Sequence, residues 1–73
     1  MYSNEYYNRI TTRLQDYLVE QEVSVPRWRD VHNGEQLALR SWILRGIHEL
    51  HLGVDERDRQ EVTEEVAKRI IGL

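Results

Sequence analysis

The sequence predicts an all-α protein, a small three-helix domain with a short additional helical turn before the central helix. Apolar residues recur at the helical spacing of three and four positions in three separate stretches. Pro26, Asn33-Gly34 and Gly53 provide turn or stop signals between those stretches. A chain of 73 residues is short enough that residues 1–73 should form a single domain.

The first helix is predicted over residues 4–22, with Ser3 as its N-cap and Glu5 in the first turn, where the helix dipole favours an acid. Its apolar face consists of the positions Tyr6, Tyr7, Ile10, Leu14, Tyr17 and Leu18. A buried tyrosine needs water or a partner for its hydroxyl group, so we expect the tyrosines to line the rim of the core. The alternative is an aromatic patch that contacts another protein.

A short helical turn is predicted over residues 26–32, because proline starts helices well and Pro26 cannot continue the first one. Trp28 should face the core, with Arg27 and Arg29 on either side of it. Such a basic and aromatic triplet can also bind an acidic or phosphate-bearing partner. We favour a core position for Trp28, between two solvated arginines, and leave the role of the arginines open.

The central helix, predicted over residues 35–52, is the most apolar run of the chain and should contact more than one neighbour. Its apolar arc contains Leu39, Ile43, Ile47 and Leu50, with Leu37 and Leu44 beside them. Trp42 lies on the flank of that arc between the small residues Ala38 and Gly46. Glycine costs roughly 1 kcal/mol inside a helix, so Gly46 should allow a close approach by the first helix, the last helix or another molecule.

The last helix is predicted over residues 55–71 and should lean on the core with a narrow apolar stripe. Asp55 is the expected N-cap, and acidic residues early in the helix and basic residues late in it match the helix dipole. The stripe consists of Val62, Val66 and Ile70, extends to Leu73 at its end, and has Thr63 alongside. Glu61, Glu64 and Glu65 are expected to face solvent.

The composition excludes several classes of site. The chain has no cysteine, no glycine-rich phosphate loop and no nucleophile motif, so we expect a protein that is not an enzyme and needs no cofactor. His48 and His51 lie one turn apart, but the sequence offers no close third ligand, and no metal is expected. No apolar run reaches transmembrane length, so no membrane contact is expected, and the absence of cysteine fits a reducing cytoplasm.

A helix-turn-helix regulator that binds DNA is the main alternative function. The predicted order of a short helix, the Asn33-Gly34 turn and the central helix matches that motif, and the reading helix would expose Ser41, Arg45 and His48. The net charge of −3 argues against direct nucleic-acid binding, which usually requires a basic face. A structural or oligomeric subunit is a third class.

The whole chain, from MYSNEYYNRI to AKRIIGL, resembles the short bacteriophage-encoded inhibitors of host bacterial RNA polymerase. The resemblance is one of length and character, so no residue is carried over from that family. It implies a protein that binds the β′ subunit near its N-terminus, blocks promoter-complex formation and allows readthrough of terminators. The segment LRSW, residues 39–42, also resembles the small theta subunit of bacterial replicative polymerase, although the rest of that pattern is missing.

The sequence places the candidate partner-binding surface on two segments whose apolar sides face the core. Its predicted members are Arg27, Trp28, Arg29, Trp42 and Arg45. Tryptophan and arginine are the residue types most enriched at binding hot spots. A surface of this kind needs an acidic or amphipathic counterpart, and a short helical segment of a large enzyme would serve.

Overall fold

Three α-helices build the domain, as predicted: α1 (Asn4–Glu20), α2 (Asn33–Glu49) and α3 (Arg59–Gly72), with a 3-10 turn at Glu56–Asp58 that leads into α3. The computed structural model describes residues 2–23 and 33–72, and only the backbone of 33–36. The helical turn predicted over 26–32 lies outside the described residues. None of the helices in the described ranges is long and apolar enough to cross a membrane.

The core lies where the three helices meet, and each helix contacts both others. The predicted apolar faces are confirmed: the buried set includes Tyr7, Ile10, Leu14, Tyr17, Leu18, Leu39, Ile43, Ile47, Val62, Val66 and Ile70. Tyr6 and Leu50, also members of the predicted faces, are half-buried and pack against this core. Leu37 is 62% exposed and Leu44 is 41% exposed. These two leucines lie at the edge of the predicted arc of α2, and neither α1 nor α3 covers that edge.

The start of α1 is fixed by a cap and by aromatic packing. Ser3 is the N-cap, as predicted, and its hydroxyl oxygen accepts a hydrogen bond from the backbone N–H of Tyr6. The ring of Tyr2 lies 6.1 Å from that of Tyr7, one residue before the cap and four residues after it, which is the arrangement of a hydrophobic staple. Tyr2 also donates a hydrogen bond to Asp58, so the staple ties α1 to the 3-10 turn.

Both α1 and α2 end in a Schellman motif whose left-handed residue is not glycine. After α2, His51 has φ of 50°, and the backbone N–H of Leu52 donates to the carbonyl of Ile47. After α1, Glu22 has φ of 59°, and the N–H of Val23 donates in the same way to Leu18. The left-handed residue that ends α2 is therefore His51, two residues before the predicted Gly53. Gly53 also has a positive φ, of 71°.

We expect His51→Gly to raise the free energy of unfolding by about 0.5–1 kcal/mol. A residue with a β-carbon is strained in left-handed geometry, and the relief exceeds the entropy that glycine loses on folding. Thermal denaturation measures the gain. Gly53→Ala is the matched control, since it introduces a β-carbon at positive φ in the same turn and should lower the melting temperature. If His51→Gly and Gly53→Ala changed the melting temperature equally and in the same direction, the strain assigned to His51 would be contradicted.

Two further differences between the predicted and observed helix boundaries lie at the starts of α2 and α3. Asn33 and Gly34, predicted to form a turn before the central helix, are instead the first residues of α2. The first N–H groups of a helix have no intrahelical partner, so weak helix formers are tolerated there. Asp55 is a cap, as predicted, but it caps the 3-10 turn by accepting a hydrogen bond from the N–H of Arg57.

Polar side chains join α3 to both other helices. Arg40 of α2 donates from Nε and Nη2 to the two carboxylate oxygens of Glu64, at 2.7 and 3.1 Å. The side chain of Glu64 is 44% exposed, as predicted, and it also pairs with Arg40 across the edge of the core. Arg69 of α3 donates to the side-chain oxygens of Asn4 and Asn8 and lies 5.2 Å from the ring centre of Tyr7.

Candidate functional site

Trp42 and Arg45, two of the predicted partner-binding residues, contact each other on the outer side of α2. The Cζ atom of Arg45 lies 5.4 Å from the centre of the Trp42 ring, within the range of a cation–π interaction. Arg45 has 62% of its side chain exposed, whereas Trp42 is half-buried at the edge of the core. The pair presents a guanidinium group beside an indole to solvent.

Two residues that sequence reasoning did not place in the site hold this pair in position. Glu49 accepts a hydrogen bond from Nε of Arg45 at 3.1 Å, one turn along α2. Its second carboxylate oxygen accepts a hydrogen bond of 2.7 Å from the hydroxyl group of Tyr17 on α1. The Tyr17 ring lies 6.4 Å from that of Trp42. Trp42, Arg45, Glu49 and Tyr17 therefore form one connected group, which we call the Trp42 cluster.

Gly46 allows this cluster to form by letting α1 approach α2. A β-carbon built on Gly46 would lie 2.6 Å from Cδ2 of Leu14 and 3.0 Å from Cδ2 of Tyr17. Both distances are shorter than ordinary contacts between carbon atoms, so glycine is the residue that fits. Of the three neighbours considered for Gly46 from the sequence, the structure identifies α1.

Within the cluster, the pKa of Glu49 is lowered, whereas the pKa values of Tyr17 and Arg45 are raised. Those from Tyr17 and Arg45 lower the pKa of Glu49 below its ordinary value, since both stabilise the carboxylate. Burial and the bond to Glu49 raise the pKa of Tyr17, and the bond to Glu49 raises that of Arg45. At neutral pH, Glu49 is therefore ionised, Arg45 is charged and Tyr17 keeps its proton to donate.

We expect the stabilising effect of Glu49 to disappear in acid. Because its folded pKa is depressed, its contribution is present above the unfolded pKa of a glutamate, about 4.3, and is lost as the pH falls through the lower folded value. The difference in melting temperature between the unsubstituted protein and Glu49→Gln should thus be largest near neutral pH and shrink below about pH 4. A difference that stays constant from pH 7 to pH 3 would show that the carboxylate charge is not involved.

The remaining predicted site residues, Arg27, Trp28 and Arg29, lie outside the described residues, so their position relative to the cluster stays a prediction. The ion pair between Arg45 and Glu49 could have been predicted from their spacing of four on one helix. The contact of Glu49 with Tyr17, 32 residues earlier, had no signal in the sequence. His48 and His51 are both exposed, and no three His, Asp or Glu side chains in the described ranges converge as metal ligands would.

A second surface feature, a groove of about 420 Å³, lies between α2 and the beginning of α3. Its α2 side is formed by Leu37, Arg40, Ser41 and Leu44. Its other side is formed by Glu56, Arg59, Gln60, Thr63 and Glu64. Ser41 of the groove lies one turn before Arg45 of the Trp42 cluster, and both residues are on the exposed side of α2.

Comparison with protein-family models, with curated proteins and with solved structures yields no match for the chain. The candidate site is therefore defined by the geometry of its own residues.

Proposed function

We propose that this protein is a non-enzymatic interaction protein that binds the β′ subunit of bacterial RNA polymerase and inhibits transcription initiation, with antitermination as a second effect. The partner and the phage origin come from the family that the whole chain resembles. The observation that carries the binding function is the contact of the exposed Arg45 with the half-buried Trp42 on α2. A cytoplasmic location, in the host cell for a phage protein, follows from this partner.

The geometry of the Trp42 cluster supports protein binding because the side chains are held in place before a partner arrives. Arg45 is bonded to Glu49, and Glu49 is bonded to Tyr17 on the neighbouring helix. Side chains that are already ordered lose less conformational entropy on association, which favours affinity. An exposed guanidinium beside an indole suits a partner helix with acidic and apolar residues.

The same geometry weighs against the DNA-binding alternative. Ser41, Arg45 and His48 are exposed, as a reading helix would require. However, Arg45 pairs with Glu49, and that carboxylate would approach the phosphate backbone together with it. Binding to polymerase should weaken only moderately with salt, whereas binding to DNA loses affinity steeply because counterions are released from the phosphates.

Run-off transcription with purified bacterial RNA polymerase tests the proposal. We expect excess protein to reduce the promoter-dependent transcript and the protein to co-migrate with polymerase on a sizing column. Trp42→Ala and Arg45→Glu should weaken inhibition about tenfold or more, as loss of a hot-spot residue does. Arg27→Glu and Arg29→Glu should weaken it as well if residues 26–32 belong to the surface.

Arg9→Glu is the matched control, because it reverses the charge of an exposed arginine on α1. It should inhibit as well as the unsubstituted protein, and thermal melts of all variants separate lost binding from lost folding. Equal transcript yields with and without the protein, together with no co-migration, would reject the polymerase as partner. Inhibition that survives all three arginine reversals and Trp42→Ala would place the binding surface elsewhere.

A further inference from the structure

The groove between α2 and α3 carries an apolar stripe that the core does not use. Within the described ranges, the large apolar side chains with high exposure are Val19, Leu37 and Leu44. Leu37 and Leu44 are seven residues apart, which places them two turns apart on the same side of α2. Ser41 lies between them and is small, so an approaching helix could come close to the backbone of α2.

Two residues that line the same groove each have a buried polar atom without a hydrogen-bond partner among the described residues. These atoms are the hydroxyl group of Thr63, a residue only 3% exposed, and Nε of Arg59. Buried donors are normally paired, and an unpaired one is stabilised by any acceptor that enters the site. An occupant that supplies a carboxylate would satisfy Arg59 with a charge-assisted hydrogen bond.

The charges of the groove also indicate what the occupant must carry. Glu64 is already paired with Arg40, and Glu56 is exposed at one end. The α2 side of the groove contains no Asp or Glu, and its charged residue is Arg40. An acidic residue of a partner would therefore approach this side of the groove without meeting an acid of α2.

We propose that the groove binds an amphipathic helix of a partner protein, with apolar side chains seated against Leu37 and Leu44 and a carboxylate bonded to Arg59. This is the helix-in-groove form of recognition, in which residues three, four and seven apart provide the anchors. A second copy of this chain that docks through the same stripe is a poorer occupant, since the exposed stripe of its α2 contains no carboxylate for Arg59. The inference deepens the proposed protein-binding function by giving the chemistry of the bound segment.

The test uses the full chain labelled with ¹⁵N and a synthetic helical peptide of about 15 residues, long enough to form a helix on a surface. The peptide carries leucines at positions three, four and seven apart and glutamates beside them. A second peptide has glutamine in place of each glutamate, and a third has the same composition as the first in scrambled order. Amide shifts and dissociation constants are recorded for each.

We expect the acidic peptide to shift the amides of residues that line the groove, with α1 left unchanged. The glutamine peptide should bind about tenfold more weakly, because it lacks the charge-assisted bond. Arg59→Gln should remove most of the difference between these two peptides, which a merely structural role for Arg59 would not do. Leu44→Ser should weaken binding of both, whereas Val19→Ser, at the other exposed apolar residue, should leave binding unchanged.

Several results would overturn the proposal. Shifts that map outside the groove, equal binding of the scrambled peptide, or no binding at millimolar peptide would each exclude this site. Concentration-dependent shifts at Leu37 and Leu44 without peptide would identify a second copy as the occupant. If polymerase is not inhibited but the acidic peptide binds as described, only the choice of polymerase fails. If polymerase is inhibited and the peptide does not bind, only this groove assignment fails.

Discussion

Leu14→Ala is expected to lower the free energy of unfolding by about 2–5 kcal/mol. The Leu14 side chain is completely buried at the point where α1 crosses α2, so its removal deletes apolar contacts and leaves a cavity. Small domains are stable by only about 5–15 kcal/mol, and the substitution should remove a large part of that. Thermal and urea denaturation measure the loss.

Leu37→Ala is the matched control, because it makes the same chemical change at a residue that is 62% exposed. Its effect should stay within about 0.5 kcal/mol. Ile43→Ala and Ile47→Ala, in the buried arc of α2, should behave like Leu14→Ala. Melting temperatures that change little for all three buried positions, or a large loss for Leu37→Ala, would show that the core lies on another face.

Gly46→Ala is expected to destabilise the protein by about 1–3 kcal/mol, although alanine is the better helix former. The gain in helix propensity is about 1 kcal/mol. Against it stands a new methyl group 2.6 Å from Leu14 and 3.0 Å from Tyr17, both of them held in the core. The two helices must then separate or Leu14 must leave its position, and either change loosens the Trp42 cluster as well.

Two control variants test whether Gly46→Ala destabilises the protein because its methyl group crowds α1. Gly72→Ala adds the same methyl group near the end of α3, where no atom lies within 4 Å, and should be neutral or slightly stabilising. In the Leu14→Ala background the closest obstructing atom is gone and the contact with Tyr17 remains, so Gly46→Ala should cost less than it does alone. A Gly46→Ala protein that melts at a higher temperature than the unsubstituted protein would refute the close approach of α1 to α2.

The parts of the fold that could be predicted from the sequence are those determined by neighbours along the chain. The spacing of Val62, Val66 and Ile70 identifies the buried stripe of α3, and Ser3 and Asp55 identify caps, because helical periodicity and capping act within a few residues. The exposure of Leu37 and Leu44 could not be predicted in this way. It depends on where α1 and α3 pack around α2, and a helical wheel contains no information on the neighbours.

In the candidate site, too, contacts within one helix could be predicted from the sequence, whereas contacts between helices could not. Trp42 and Arg45 could be singled out because their residue types are common at interfaces and their spacing brings them together on one helix. Tyr17 could be placed only at the rim of the core, and the partner of its hydroxyl group, Glu49, lies on another helix. The left-handed geometry of His51 was also not predictable, because glycine is the usual signal for it.

The contacts of Arg69 have a consequence for the order in which the domain assembles. Its hydrogen bonds to Asn8 and Asn4 join residues 61 and 65 positions apart, so they close nearly the whole chain into a loop. Closing a long loop costs entropy before the contact contributes, whereas α2 and α3 are joined by the short connection 50–58, which includes the 3-10 turn. We expect α2 and α3 to associate first and the Arg69 contacts to form after the folding transition state. Loss of Arg69 should then accelerate unfolding and leave the folding rate nearly unchanged.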